Sequence, residues 1–246
     1  MPPSVSRLTA LLVTAAVLLP AGVAGAASTD PQFDIVPADQ AWAESIVLKQ
    51  SDLGPGWIAE PPSGGSGSSG SESGDPPFCP RADMDASDLT VTGGAGSPDF
   101  ARGDSSDVSS GAIVWQTRDQ ARAYFDRTNA VIPTILDCLA SLFTSLSSKE
   151  IEVVVTSTGA IPFLAVAPRT AAYRIQLVFR STERVRGKLK KISTRASLDT
   201  LLLGNGRATA FIYMDAYGRK PFRPGYELSL AAATAARMSS DPAATP

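Results

Sequence analysis

Hydrophobic positions along the chain change their spacing three times, and each spacing predicts a different kind of structure. A mainly apolar run, Leu8 to Leu19, follows the single positive residue Arg7 and is closed by Pro20 and the small residues Ala21 to Ala27. That order is the pattern of a secretory signal peptide, with Ala24-Gly25-Ala26 supplying the small side chains that a signal peptidase accepts. The run is too short to cross the roughly 30 Å hydrocarbon layer as a mature anchor, and no later segment reaches about 18 apolar residues. Residues 1–27 are therefore expected to be removed on export, leaving 28–37 as an N-terminal extension.

Helical spacing follows. Asp39 can cap a helix running to about Gln50, with Trp42 and Ile46, and then Ala43 and Val47, in i,i+4 pairs. Gly54-Pro55-Gly56 ends it, and residues 61–77 are so rich in Gly, Ser, Pro and acids that they predict a flexible loop. Val108 to Gln116 is strand-like, and Thr117 with Gln120 forms the Thr-x-x-Gln pattern of a capping box. The helix that starts there carries Ala121, Tyr124, Phe125 and Thr128 on one face. Pro133 predicts a break, and a second helix, Thr134 to Leu146, resumes with Ile135, Leu139, Leu142 and Leu146.

After Glu150 the period becomes 2. Ile151, Val153 and Val155 open it, and Tyr173, Ile175, Leu177 and Phe179 alternate with Arg174, Gln176 and Arg180, the pattern of a sheet with one wet face. Val185 and Leu189 are odd whereas Ile192, Ala196, Leu198 and Leu202 are even, which predicts a bulge near Lys190-Lys191. Gly204-Asn205-Gly206 predicts a hairpin turn, and Arg207 to Asp215 a strand apolar on both faces. Pro224 opens a last helix with Leu228, Ala231, Ala232, Ala235 and Met238 on one stripe, and residues 239–246 are expected to be a disordered tail. The expected fold is α+β: an antiparallel β-sheet meander with helices packed on one face, one disulfide, and a single domain over residues 38–238.

Composition narrows the chemistry. Of the 246 residues none is histidine, so Ser-His-Asp and Cys-His nucleophiles and His-containing zinc sites are excluded. Paired carboxylates and Ser-Lys dyads survive that exclusion. The only cysteines, Cys79 and Cys138, are expected to pair in an oxidising compartment. Closing their loop of about 59 residues stabilises the fold by roughly 4 kcal/mol on the chain-entropy model. No metal site and no cofactor is expected.

Charge is unevenly distributed. Residues 28–168 hold 7 basic and 19 acidic side chains, whereas residues 169–223 hold 13 basic and 3 acidic. Within the basic block Arg174, Arg180, Arg184, Arg186, Lys188 and Lys190 share even numbering and are the candidate ligand-binding set, suited to an anionic polymer or lipid headgroup. The competing reading is a solvated face with edge-protecting lysines. Nucleic acid is not expected, because aromatic residues are not interleaved there. Trp42, Trp57 and Trp115 fit a core better than a ligand cleft.

Three short motifs do not survive their context. Gly65 to Gly70 matches G-x-G-x-x-G without a preceding strand or a following helix. Gly103-Asp104-Ser105 lacks the histidine an esterase needs, and Arg102-Gly103-Asp104 is a chance adhesion tripeptide. More informative is LKQSDLGPGW at Leu48 to Trp57, directly after a helix. With AxAYF at Ala121 to Phe125, CLASLF at Cys138 to Phe143, Gly206-Arg207-Ala208 and the closing Ala-rich helix, it resembles exported actinobacterial sensor-type domains related to the extracellular domain of PknH-type receptor kinases. The resemblance spans Ala38 to Met238 and implies a sheet with helices on one side, a cleft for an extracellular ligand, and no catalytic residues. The chain departs from that family in lacking a kinase domain, a transmembrane helix and a second disulfide.

Export, absent imidazole and this resemblance together lead to the expectation of a secreted, non-catalytic cell-envelope protein that binds an extracellular ligand or partner, with no stable membrane span. The alternatives are a carboxylate-dependent hydrolase of envelope glycans, which needs two carboxyl groups about 5 to 10 Å apart, and a purely structural secreted domain. For the exported protein, thiol alkylation under denaturing, non-reducing conditions is expected to label neither Cys79 nor Cys138, and both after reduction. Labelling without reductant excludes the bridge.

Overall fold

The computed structural model describes residues 29–60, 85–148, 150–185, 188–218 and 222–242. The predicted signal peptide and the Gly/Ser-rich loop lie outside these residues. So does Cys79: Cys138 lies on a described helix and no described cysteine is free, but a bridge between the two is not described.

Nine strands form one sheet: β1 (Gln32–Phe33), β2 (Ile58–Ala59), β3 (Thr90–Gly96), β4 (Phe100–Ala101), β5 (Ser106–Trp115), β6 (Ile151–Ala160), β7 (Arg169–Val185), β8 (Lys188–Asn205) and β9 (Ala208–Tyr217). The spatial order is β1-β3-β5-β9-β8-β7-β6, with β4 beside β5 and β2 beside β4. The C-terminal four strands are the expected antiparallel meander. The sheet as a whole is mixed, because β1 runs parallel to β3. Strand β3 carries no alternating apolar pattern. It contains Gly93, where a Cβ would lie 2.4 Å from the carbonyl oxygen of Asp39, so the glycine lets a helix rest directly on the strand backbone.

Helices cover both faces, not one. On the first face lie α1 (Pro37–Ile46), the short α2 (Gln50–Leu53) and α4 (Pro224–Met238). Trp42, Ala43, Ile46, Leu230 and Ala231 there meet Val108, Ala112, Val114, Leu201, Leu203 and the even positions of β9. On the second face lies α3 (Arg118–Ser145), whose Phe125, Ile132, Leu136 and Phe143 pack on Val153, Tyr173, Ile175, Leu177 and Leu202. All three tryptophans are core, Trp115 donating its indole N–H to Thr209 at 3.0 Å.

Three local expectations change, each for an identifiable reason. Asp39 does not cap α1. It lies in the first turn, its carboxylate receiving both guanidinium ends of Arg207 at 2.8 Å, and the helix stops at Ile46 before the separate α2. Pro133 does not break α3, which runs through it for 28 residues. Proline removes the amide that would bond the carbonyl of Asn129, and the Tyr173 hydroxyl donates to that oxygen at 3.3 Å and to the Asn129 side chain at 2.6 Å. No bulge interrupts the β7–β8 ladder, which pairs continuously from Arg169↔Gly204 to Val185↔Lys188. Leu189 is simply left 70% exposed.

The buried stripe of α4 is also rotated from the predicted one. Glu227, Leu230, Ala231, Thr234, Ala235 and Met238 point inward while Ala232 is exposed. Glu227 turns in because Arg174 on β7 bridges it, at 2.7 Å, to Asp199 on β8, with a second contact from the same nitrogen to Asp199 at 3.0 Å. Both carboxylates are almost fully buried. Removing the guanidinium strands two acids in the core, so Arg174→Met is expected to destabilise the fold by about 3–5 kcal/mol, checked by the urea midpoint at neutral pH. A change below about 1 kcal/mol means the triad does not hold α4 to the sheet.

Candidate functional site

The β7–β8 ladder separates the residues predicted to form one basic face. Each β7 residue opposes a β8 residue of the other parity, as in Arg174↔Asp199 and Glu183↔Lys190. Even positions of the two strands thus belong to opposite faces. Arg174 is locked in the buried triad and is 17% exposed. Arg180 is exposed, pairs with Glu152 at 3.4 Å, and shares its face with the exposed Lys191 and Arg195. Lys190 is exposed on the other face. Arg184 and Lys188 belong to the strands, but their side chains, and Arg186 altogether, lie outside the described residues.

Two other places concentrate chemistry, at opposite ends of β9. At the β8–β9 turn a cleft of 430 Å³ opens between the N-terminus of α3, the start of β7 and the end of α4. The turn forms where predicted, with Gly206 at φ 58°. The side chain of Arg207, next in the turn, is drawn inward to Asp39 and also binds Asp241 at 2.9 Å, which ties down the start of the segment expected to be a disordered tail. Arg118, Arg122 and Arg169 line the cleft, together with the carboxylates of Asp119 and Asp241. Asp126 is taken up by Arg169 at 2.7 Å and Arg122 at 3.8 Å, and Asp241 by Arg207. Arg118, exposed in the first turn of α3, is the lining guanidinium left without a carboxylate. Thr117 caps the helix as predicted, accepting from the Gln120 amide at 3.1 Å, and the positive end of the helix dipole faces the same opening.

At the far end of β9 the second face is less completely covered. Even positions of β9 are buried throughout, whereas among the odd ones Thr209 is buried and Phe211, Tyr213, Asp215 and Tyr217 are half-buried. β5 follows the same gradient, from buried Trp115 to exposed Asp107. Asp107 and Asp215 oppose each other directly in the antiparallel ladder, which sets Cβ atoms about 5 Å apart. Burial first, then the charges of Asp107, Asp199 and Asp99, pushes the Asp215 carboxyl up to about 7. Burial first, then Glu60 and Asp99, pushes Asp107 up to about 6. Tyr213, two positions along the strand, is raised to about 12, chiefly by burial. The acid pair was legible in the sequence only as two aspartates in unrelated segments; the register that joins them was not.

Neither a protein-family model nor a curated protein matches this chain. Among solved structures it is similar, at a distance, to the extracellular domain of PknH from Mycobacterium tuberculosis, with 12% identity over 61% of this chain and a TM-score of 0.32. The chain spans 66% of that domain's length. It also shows 13% identity and a TM-score of 0.18 to the human StarD13 lipid transfer and protein localization domain, covering 62% of this chain and 87% of that one. At these scores neither likeness bears on the site.

A carboxyl whose folded pKa is raised contributes stability that is complete below its unfolded value and is lost as pH rises through the folded value. Asp215 should therefore weaken the fold increasingly between about pH 4 and pH 7. Asp215→Asn is expected to stabilise the protein by on the order of 2 kcal/mol at about pH 8, and by almost nothing at about pH 4. Thermal unfolding across that range checks it; equal gains at both ends contradict the electrostatic origin.

Proposed function

We propose that this chain is an exported, non-catalytic binding domain of the cell envelope that holds a small anionic ligand or headgroup in the cleft at the N-terminus of α3. The observation that carries this reading is the 430 Å³ cleft lined by Arg118, Arg122 and Arg169. Its volume lies in the range of about 300–1,000 Å³ that small-molecule sites occupy. Guanidinium groups fork onto phosphate and carboxylate oxygens, and the positive end of a long helix favours an anion beside its first turn. The cleft is built from four separate parts of the chain, so an occupant contacts α3, β7, the β8–β9 turn and the end of α4 at once. The N-terminal pattern of Arg7, the apolar run and Ala24-Gly25-Ala26 supports export. Among the described residues no helix is long and apolar enough to cross a membrane.

Titration calorimetry with inorganic phosphate, glycerol phosphate and succinate tests the proposal. At least one is expected to bind, more weakly as ionic strength rises. Arg118→Ala, which disturbs no ion pair, should weaken that binding by about tenfold, as should Arg169→Ala. Flat titrations for all three, or affinities indifferent to both substitutions, would remove the anion from this cleft.

A further inference from the structure

A second site lies at the other end of β9, and it asks for the opposite charge. We propose that the Asp107–Asp215 pair binds an organic cation, a ligand whose protonated or quaternary ammonium group lodges between the two carboxyl groups and the flanking tyrosine rings. The proposal is independent of the anion cleft, which lies at the far end of the same strand.

Four observations converge. The first is the pairing itself: Asp107 on β5 and Asp215 on β9 are direct cross-strand neighbours on the less covered part of the second face. Like charges so placed repel each other. The second is the absence of partners. Asp215 is half-buried, with burial the first cause that raises its carboxyl. It makes no hydrogen bond or ion pair to any described residue, and neither does the hydroxyl of the similarly half-buried Tyr213. Strongly buried acids of the molecule have an arginine: Asp39 has Arg207, and Asp199 and Glu227 have Arg174.

The third observation is the aromatic surround. Tyr213 and Tyr217 stand two positions to either side of Asp215 on the same face. Phe211 stacks on Tyr213, with centroids 6.3 Å apart and planes inclined by 2°, and Phe179 packs on Tyr217 at 5.5 Å. Aromatic faces attract ammonium groups by their quadrupole, most strongly where water is displaced. The fourth is the charge of the neighbourhood. The charged groups that act on the pair are Glu60 beside β2 and Asp99 beside β4, with Asp199 acting from the opposite face, where Arg174 holds it. Among the described residues, no positive charge acts on the pair from its own face.

Two carboxyl groups framed by rings suit an organic ammonium better than a hard metal ion, which takes six or more oxygen ligands as calcium or keeps octahedral geometry as magnesium. Among the described residues no group of three or more His, Cys, Asp or Glu is placed to hold a metal. A bound cation also favours the ionised carboxylates, so binding near neutral pH must release protons.

Calorimetry of the full exported protein with hexylamine, spermidine and tetramethylammonium, each in two neutral buffers of different ionisation enthalpy, tests the site. The expected result is saturable binding of at least one probe, with a buffer-dependent enthalpy that reports proton release. Asp215→Asn should weaken it by about tenfold or more, Asp107→Asn by less because that residue is at the rim, and Tyr213→Leu by a few-fold. Because Asp215→Asn removes an unpaired, half-buried charge, loss of binding in that variant is not loss of fold, and an unchanged or raised thermal unfolding midpoint confirms it. The proposal is overturned if no probe binds, if binding is indifferent to Asp215→Asn, or if calcium binds with the same residue dependence and the amines do not. Release of reducing ends from an envelope glycan, abolished by Asp215→Asn, assigns the pair to hydrolysis and overturns it equally.

Discussion

Burial on both faces where β8 and β9 adjoin, around Leu201 to Leu203 and Ile212, is the constraint from which the rest of the architecture follows. Leu201, Leu202, Leu203 and Ile212 are fully inaccessible, so both sides of these strands must be covered. Among the described residues the first face is closed by α1, α2 and α4, and the second by α3 with Ala86 and Leu89 beside Trp115. A single helix, however long, cannot cover a sheet of this width. It begins over the β8–β9 turn, where the ring of Phe125 approaches Gly204, and packs most extensively on β6. The triangle it leaves over the end of β9 is where half-buried aromatics and the unpaired acids collect.

Buried arginines organise what the apolar contacts leave undetermined. Arg207 joins the β8–β9 turn to α1 and to the chain end, and Arg174 joins the sheet to α4. Each brings two carboxylates together, so each junction tolerates burial only while its guanidinium stays. Such networks specify geometry more than they add stability, because desolvation offsets much of the attraction. They also withdraw these arginines from solvent. Of the basic residues counted as a binding face from numbering alone, Arg174 is therefore a structural element, and the arginines lining the cleft come instead from α3 and the start of β7.

Much of the secondary structure was legible because local spacing suffices for it. The period-2 run from Ile151, the Thr117 cap, the Gly206 turn and the tryptophan core all follow from rules acting within a few residues. The errors came from distant partners. Pro133 is accommodated by Tyr173, 40 positions away in sequence, and the short, glycine-rich β3 is a strand because α1 and β5 lie against it. Even numbering placed six cations on one face, but a hairpin inverts parity between its strands whenever opposed residues sum to an odd number, as they do here.

The amino-acid sequence by itself determined the chemistry that is absent and the compartment that is expected: no imidazole, one pair of cysteines, an export pattern, an acidic first half and a basic second. Those properties are compositional and survive any folding. Tertiary structure decided which charges meet. Asp107 and Asp215 are separated by 108 positions and become neighbours only through the β5–β9 register, just as Arg118 and Arg169 meet only where α3 begins beside β7. Electrostatic interaction falls off over a few ångströms of protein and solvent, so which groups attract, repel or stand without a counter-charge is a property of the packed sheet and not of the chain.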